Sequence, residues 1–296
     1  MKAIKNLRSC LSDRHIDFMK PHKIALILSV LSIIISIALV CTKGLNFGID
    51  FAGGILVEAR LINNGEQVGD NSNKNLNFDV AEIRHLIDLE VKDVQIQNIG
   101  QNNGLDELLI RVPKSKSEDQ AATVKKIQEI LNAGYPNIEY RKIDYVGPQV
   151  GAELIQKGTL SLLLSFVFIM IYIWIRFDWQ FGIGGIFALF HDTLITLGLY
   201  SISGLEFNIT SIAAILTIIG YSINDSVVIY DRIRENLRKS RKSDLSLLIN
   251  SSINSTLSRT VLTSSVTLVS LLALILFGGE VLKSFSIATF FGILVG

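Results

Sequence analysis

Apolar residues fall into six blocks along the chain. Ile24–Cys41 (24–41) is an uninterrupted run close to the ~20 residues that a membrane-spanning helix needs. After a long polar interval come 158–175, 181–202, 207–230, 256–277 and 284–296. The last is too short to span and reads as an incomplete helix. The pattern therefore predicts a polytopic α-helical membrane protein with six transmembrane helices, the sixth truncated.

In the interval 42–157 the continuous apolar pattern gives way to alternation. Ile55–Ile62 reads as a strand with Ile55, Val57, Ala59 and Leu61 on one face. Asp79–Glu90 reads as a helix burying Val80, Ile83, Leu86 and Ile87. Two short strands, Val94–Ile99 and Leu108–Val112, flank a turn at Gln101-Asn102-Asn103-Gly104. Ser117-Glu118-Asp119-Gln120 forms a capping box for a second helix, which buries Val124, Ile127 and Leu131 and stops at Gly134 and Pro136. Ile138–Val146 is the last strand. The order β-α-β-β-α-β is the split-βαβ, ferredoxin-like pattern of an α+β domain lying between helices one and two. The stretch Gly44–Gly54 is too rich in glycine for a helix interior, and Gly53-Gly54 reads as a sharp exit from the membrane.

Composition agrees with a membrane protein. Of 296 residues, 49% are hydrophobic and 19% charged, and mean hydropathy is +0.43. A net charge of +1 gives no field that suggests a nucleic-acid partner. The charges are segregated, however. The tail 1–23 carries Lys2, Lys5, Arg8, Arg14, Lys20 and Lys23, and the expected loop 231–255 carries Arg232, Arg234, Arg238, Lys239, Arg241 and Lys242. The positive-inside rule places both on the cytoplasmic side, so 43–157 is exported, which in a bacterial inner membrane means periplasmic. The first run is longer than a signal-peptide core and has no small-residue cleavage site, so it is expected to stay uncleaved. Cys10 and Cys41 flank that run, too far apart for a disulfide.

The candidate chemistry lies inside the apolar runs. The fourth run carries Asn224 and Asp225, the third His191 and Asp192, and the fifth opens on Asn254, Ser258, Arg259 and Thr260. Ionisable groups in a membrane cost several kcal/mol unless they face one another or a wet cavity. A carboxylate that meets and leaves an arginine behaves as a proton carrier. A packing ion pair between Asp225 and Arg259 is the alternative reading, and His191 has the alternative of satisfying a carbonyl or hydroxyl. The charged segment Asp231–Asn236 reads most simply as a solvated helix end. No nucleophile–base arrangement, nucleotide cradle or metal-ligand spacing stands out, so no enzyme activity, cofactor or metal is expected.

These residues resemble the SecF family, the smaller subunit of the SecDF complex of bacterial protein export within the resistance-nodulation-division superfamily. The resemblance rests on Gly48-Ile49-Asp50-Phe51-Ala52-Gly53-Gly54, Val146-Gly147-Pro148-Gln149-Val150-Gly151, His191-Asp192, Gly220-Tyr221-Ser222-Ile223-Asn224-Asp225, Tyr230-Asp231-Arg232-Ile233-Arg234-Glu235-Asn236 and Ser258-Arg259-Thr260. It implies location in the bacterial inner membrane and assembly with SecD into a pseudo-symmetric unit. It also implies use of the proton gradient to help preproteins leave the SecYEG channel, with YajC as a further candidate partner. The family's intramembrane Asp and Arg fall on Asp225 and Arg259, and a second Asp of the path is expected on SecD. Two rival readings are an independent proton-coupled efflux transporter and a purely structural subunit that stabilises SecD.

Overall fold

The computed structural model describes residues 16–61, 78–88, 94–102, 105–113, 120–135, 137–239 and 244–296. The first residues of the basic tail, Ser117-Glu118-Asp119 of the capping box and Asn103-Gly104 of the expected turn lie outside them. The elements are α1 (His22–Lys43), β1 (Asn46–Phe47), α2 (Ile49–Ala52), β2 (Gly54–Leu61), α3 (Val80–Asp88), β3 (Gln95–Asn102), β4 (Leu105–Pro113), α4 (Gln120–Gly134) and β5 (Ile138–Val146). They continue with α5 (Pro148–Arg176), α6 (Trp179–Ser203), β6 (Glu206–Phe207), α7 (Ile209–Lys239), α8 (Leu245–Phe277) and α9 (Gly279–Val295). The chain divides into a helical bundle, 1–46 with 158–296, and an α/β unit, 47–157.

Among the described residues five helices are long and apolar enough to cross a membrane: α1, α5 from Gln149, α6, α7 and α8. α9 is a shorter apolar helix. In the bundle, α7 is central and packs against α6, α8 and α9, burying Ile212, Ala214, Ile215, Ile218 and Ile219. α1 packs on α6 through small residues. Ser36 is its one buried residue, and a Cβ on Gly198 would lie 2.4 Å from Ser36 Oγ and 3.0 Å from its Cα. Ser201 Oγ donates to Leu39 O at 2.9 Å across the same seam. The far end of that seam is tied by Lys43 Nζ to Ile202 O and Asn46 Nδ2 to Gly204 O, at 2.8 and 2.9 Å.

The helices outrun the apolar blocks, which corrects the expected loop at 231–255. α7 continues to Lys239 and α8 starts at Leu245, so most of that segment is helical. Charge does not end a helix when it is paired along one face. Arg232–Glu235 and Glu235–Lys239 each close at 2.6 Å, and Asp244 caps α8 by accepting from Ser246 N at 3.2 Å. α5 likewise begins at Pro148, well before 158, because a helix can start on proline: its missing N–H is not needed there. The glycine-rich stretch also contains a helix, contrary to expectation. The single turn α2 fits between glycines and buries Ile49 and Phe51, and Gly53 at φ +73° closes it.

In the α/β unit the sheet order is β3-β4-β2-β5, antiparallel throughout, with Val57 opposite Ile110 on one side and Ile143 on the other. One face carries the core: Ile55, Val57 and Leu61 of β2 and Leu108, Ile110 and Val112 of β4 meet Ile83 and Ile87 of α3 and Ile127 and Leu131 of α4. Leu86, expected in that core, is 41% exposed, so α3 buries a narrower stripe than its apolar residues suggested. The opposite face carries Glu58, with Lys142 paired to Asp144 on the adjacent strand. Burial pushes the Glu58 carboxyl up, against the opposing pull of Lys142 and Arg141.

Candidate functional site

Asp225 lies on α7 after sixteen helical residues that are apolar apart from small hydroxyls, Gly220, Tyr221 and Asn224, so the backbone itself carries it into the bundle. Tyr221, Ser222, Asp225, Ser226 and Ile229 share one face of α7 and line a cavity of about 620 Å³. The other walls come from α1 (Leu26, Ser29, Val30, Ile33), from Phe187, Ala188, His191 and Asp192 of α6, and from α8 and α9. The structure thus brings three of the expected residues, His191, Asp192 and Asp225, around one space.

His191 Nδ1 and Asp192 Oδ1 are 2.8 Å apart. Asp192 is 4% exposed, and its Oδ2 has no hydrogen-bond partner among the described residues. The hydroxyl of Tyr221, one turn before Asp225, is likewise buried with no partner among them. Unsatisfied buried oxygens around a cavity of this size suit ordered water. Tyr221 was missed by reading the sequence, although its position four residues before Asp225 placed it on the same helix face.

Arg259 and Asn224 stand differently. Both are exposed, and neither lines the cavity. Among the described residues no salt bridge joins Arg259 to Asp225, so the expected pair is not in direct contact; the guanidinium charge acts on Asp225 from a distance. Helix register explains how close the two are. Arg232 Nε donates to Ser255 Oγ at 3.0 Å and Asn236 Nδ2 to Ser252 Oγ at 2.8 Å, which fixes α7 against α8. Asp225 lies seven residues before Arg232, and Arg259 four after Ser255. At ~1.5 Å per residue the two levels differ by roughly 4–5 Å, within reach of an arginine side chain.

The segment Asp231–Asn236 is not merely solvated. Besides the contacts of Arg232 and Asn236, Asp231 Oδ1 accepts from Arg176 at 3.2 Å and Arg234 donates to Arg176 O at 2.9 Å. Arg176 and Arg234 lie 4.9 and 5.3 Å from the ring centroid of Phe177, which together with Phe181 packs on Tyr230. This knot closes the α5–α6 corner onto α7 at the basic end of the bundle. Among the described residues no three His, Cys, Asp or Glu side chains converge as a metal site would need.

Residues 126–296 match the family described as protein export membrane protein SecD/SecF, C-terminal, and 38–61 match the SecD/SecF GG motif. Protein translocase subunit SecF of Rickettsia bellii is 48% identical over 282 residues, covering 95% of this chain and 88% of that one. The subunit of Rickettsia felis is 47% identical, covering 95% and 86%. Among solved structures, SecDF of Thermus thermophilus, described as a translocon-associated membrane protein, is similar with a TM-score of 0.78 and 36% identity. That match covers 96% of this chain and 37% of the SecDF chain, so the chain spans little over a third of it.

Proposed function

The chain belongs to the SecF family of protein export membrane proteins, and from that premise we propose that it is an accessory subunit of the Sec preprotein translocase. With SecD it uses the proton gradient across the bacterial inner membrane to promote late steps of export through SecYEG. YajC is a further candidate partner. The observation that carries this reading is Asp225 on a membrane-length helix, facing on one side a largely apolar cavity that His191 and Asp192 also line, and within reach of Arg259 on the other. In this reading Asp225, with Arg259 and Asn224 toward SecD and with His191 and Asp192 inside the bundle, forms the proton path.

The same reading takes α9 as the start of a sixth span. It takes the α/β unit as a ferredoxin-like domain on the exported side, which the strand order β3-β4-β2-β5 supports. The two basic segments meet at one end of the bundle, where Ile16 and Phe18 hydrogen-bond to α8, and this supports a cytoplasmic location for both.

The test is Asp225→Asn, which keeps size and hydrogen-bonding capacity but cannot titrate. In membrane vesicles with SecD at its normal level, the proton-dependent part of export should be lost. Unchanged export sinks the proton role. Loss of SecD alongside favours a structural subunit, and ion or drug flux by the chain alone favours an independent transporter.

A further inference from the structure

The start of the described chain is held by α8. Ile16 N donates to Asn254 Oδ1 at 2.9 Å, and Asn254 Nδ2 donates back to Ile16 O at 2.8 Å, the two-bond pairing that a neighbouring strand would offer. Phe18 N donates to Asn250 Oδ1 at 2.8 Å. Asn250 and Asn254 are one turn apart, ~6 Å along the helix, and alternate residues of an extended chain are separated by ~6.6 Å. The two amides therefore match the backbone of residues 16 and 18. Asn254 Nδ2 also donates to Asn250 O at 2.8 Å, which holds its amide in that orientation. Beyond Phe18 the chain turns, with Lys20 N bonded to Asp17 Oδ1 at 3.2 Å, and enters α1 at His22.

At ~100° per residue, positions 250 and 254 lie on the face of α8 away from Ser252 and Ser255, which α7 grips through Asn236 and Arg232. The basic end of α8 is thus clamped from two sides. Arg259 follows Ser255 by one turn on the α7 face. A slide of α8 along its axis changes the level of Arg259 against Asp225 by the same amount. α1 packs chiefly on α6, so the short segment before it links the α1–α6 pair to α8.

We infer that residues 16–18 are a strap whose seat on Asn250 and Asn254 sets the height of Arg259 against Asp225. The two asparagines are positioning residues for proton exchange; this functional half rests on the reading proposed above, whereas the seat itself does not. Neither the strap, residues 16–18, nor its seat, Asn250 and Asn254, belongs to the proton path.

The test uses the full chain with SecD in membranes, with Cys10→Ser and Cys41→Ser as background. In Asn250→Ala/Asn254→Ala, the amides of Ile16 and Phe18 should exchange with deuterium roughly tenfold faster, in line with the net worth of a hydrogen bond. Proton-driven export should fall several-fold while chain abundance and gradient-independent export hold. In an Asn254→Ala background, joining Phe18→Cys to Asn250→Cys with a short thiol-reactive linker should restore proton-driven export. Unprotected amides in the parent overturn the seat. A freed strap with unchanged export, or lost abundance that the linker does not restore, overturns the positioning role. Asp225→Asn serves as the control: if it leaves export proton-dependent, the proton reading fails while the exchange data still decide the seat.

Discussion

Asp225 faces two environments from a single position on α7. Toward the cavity it looks onto Asp192, whose Oδ2 is buried and unpartnered. Toward α8 it feels the exposed guanidinium of Arg259. Asp192→Asn keeps an oxygen for the contact with His191 but cannot carry a proton. If Asp192 exchanges protons with the cavity, this variant accumulates normally and loses gradient-dependent export, as vesicle assays would read. Normal export removes Asp192 from the path and leaves it a packing role. The sequence made Asp225, His191 and Asp192 visible because a charge within an apolar run is conspicuous. It hid the fact that Asp225 and Arg259 stop short of contact, since that depends on how far α7 and α8 slide past each other. It also hid Tyr221, because a tyrosine in a membrane helix looks ordinary until its hydroxyl is found without a partner.

Helix-to-helix contacts rest on small residues, and two close approaches differ in kind. A Cβ on Gly198 meets the Cβ and backbone Cα of Ser36 at 2.7 and 3.0 Å, whereas one on Gly292 meets the side chain of Ile218 at 2.4 Å from Cδ1. Gly198→Ala must push α1 off α6 and should cost about 1–3 kcal/mol of overpacking, seen as lower thermal stability in detergent. Gly292→Ala should cost less, because Ile218 can turn aside. Equal effects would show that the α1–α6 seam is not rigid. In the α/β unit, burial raises Glu58 above its ordinary value. A carboxyl raised in the folded state favours folding below its unfolded pKa, and that contribution is lost as pH rises through the folded value. Glu58→Gln should therefore make the unit more resistant to unfolding near neutral pH and flatten its pH dependence above the unfolded carboxyl range, measured by hydrogen exchange within the full chain. Increased exchange at neutral pH would mean that Lys142 and Arg141 outweigh burial. Alternation made β2 legible in the sequence, and helical periodicity did the same for Ile83, Ile87, Ile127 and Leu131. The contacts of Asp231–Asn236, read as a solvated helix end, were not legible, because their partners Arg176 and Ser255 come from other helices.

As a whole the bundle leaves much apolar surface open. α1 buries only Ser36, and Leu262, Val266 and Val269 of α8 are 48%, 62% and 67% exposed, on the same helix as the exposed Arg259. An arginine on a membrane-spanning helix costs about 2.5–3.5 kcal/mol unless something polar covers it. On the function proposed above, that makes the α8 face the expected seat of SecD, from which the SecD carboxylate of that reading would complete the site. Cysteines at 262 or 266 should cross-link to SecD in membranes. Labelling of both positions by lipid-phase reagents alone, with no cross-link, would move the interface elsewhere.

The central claim is that Asp225 gains and loses a proton within the membrane. Infrared difference spectra of the chain with SecD in lipid, taken between acidic and alkaline pH, read the carboxyl C=O band of a protonating aspartate directly. The expected spectrum contains such a band, which Asp225→Asn abolishes. A spectrum unchanged by Asp225→Asn would contradict the claim.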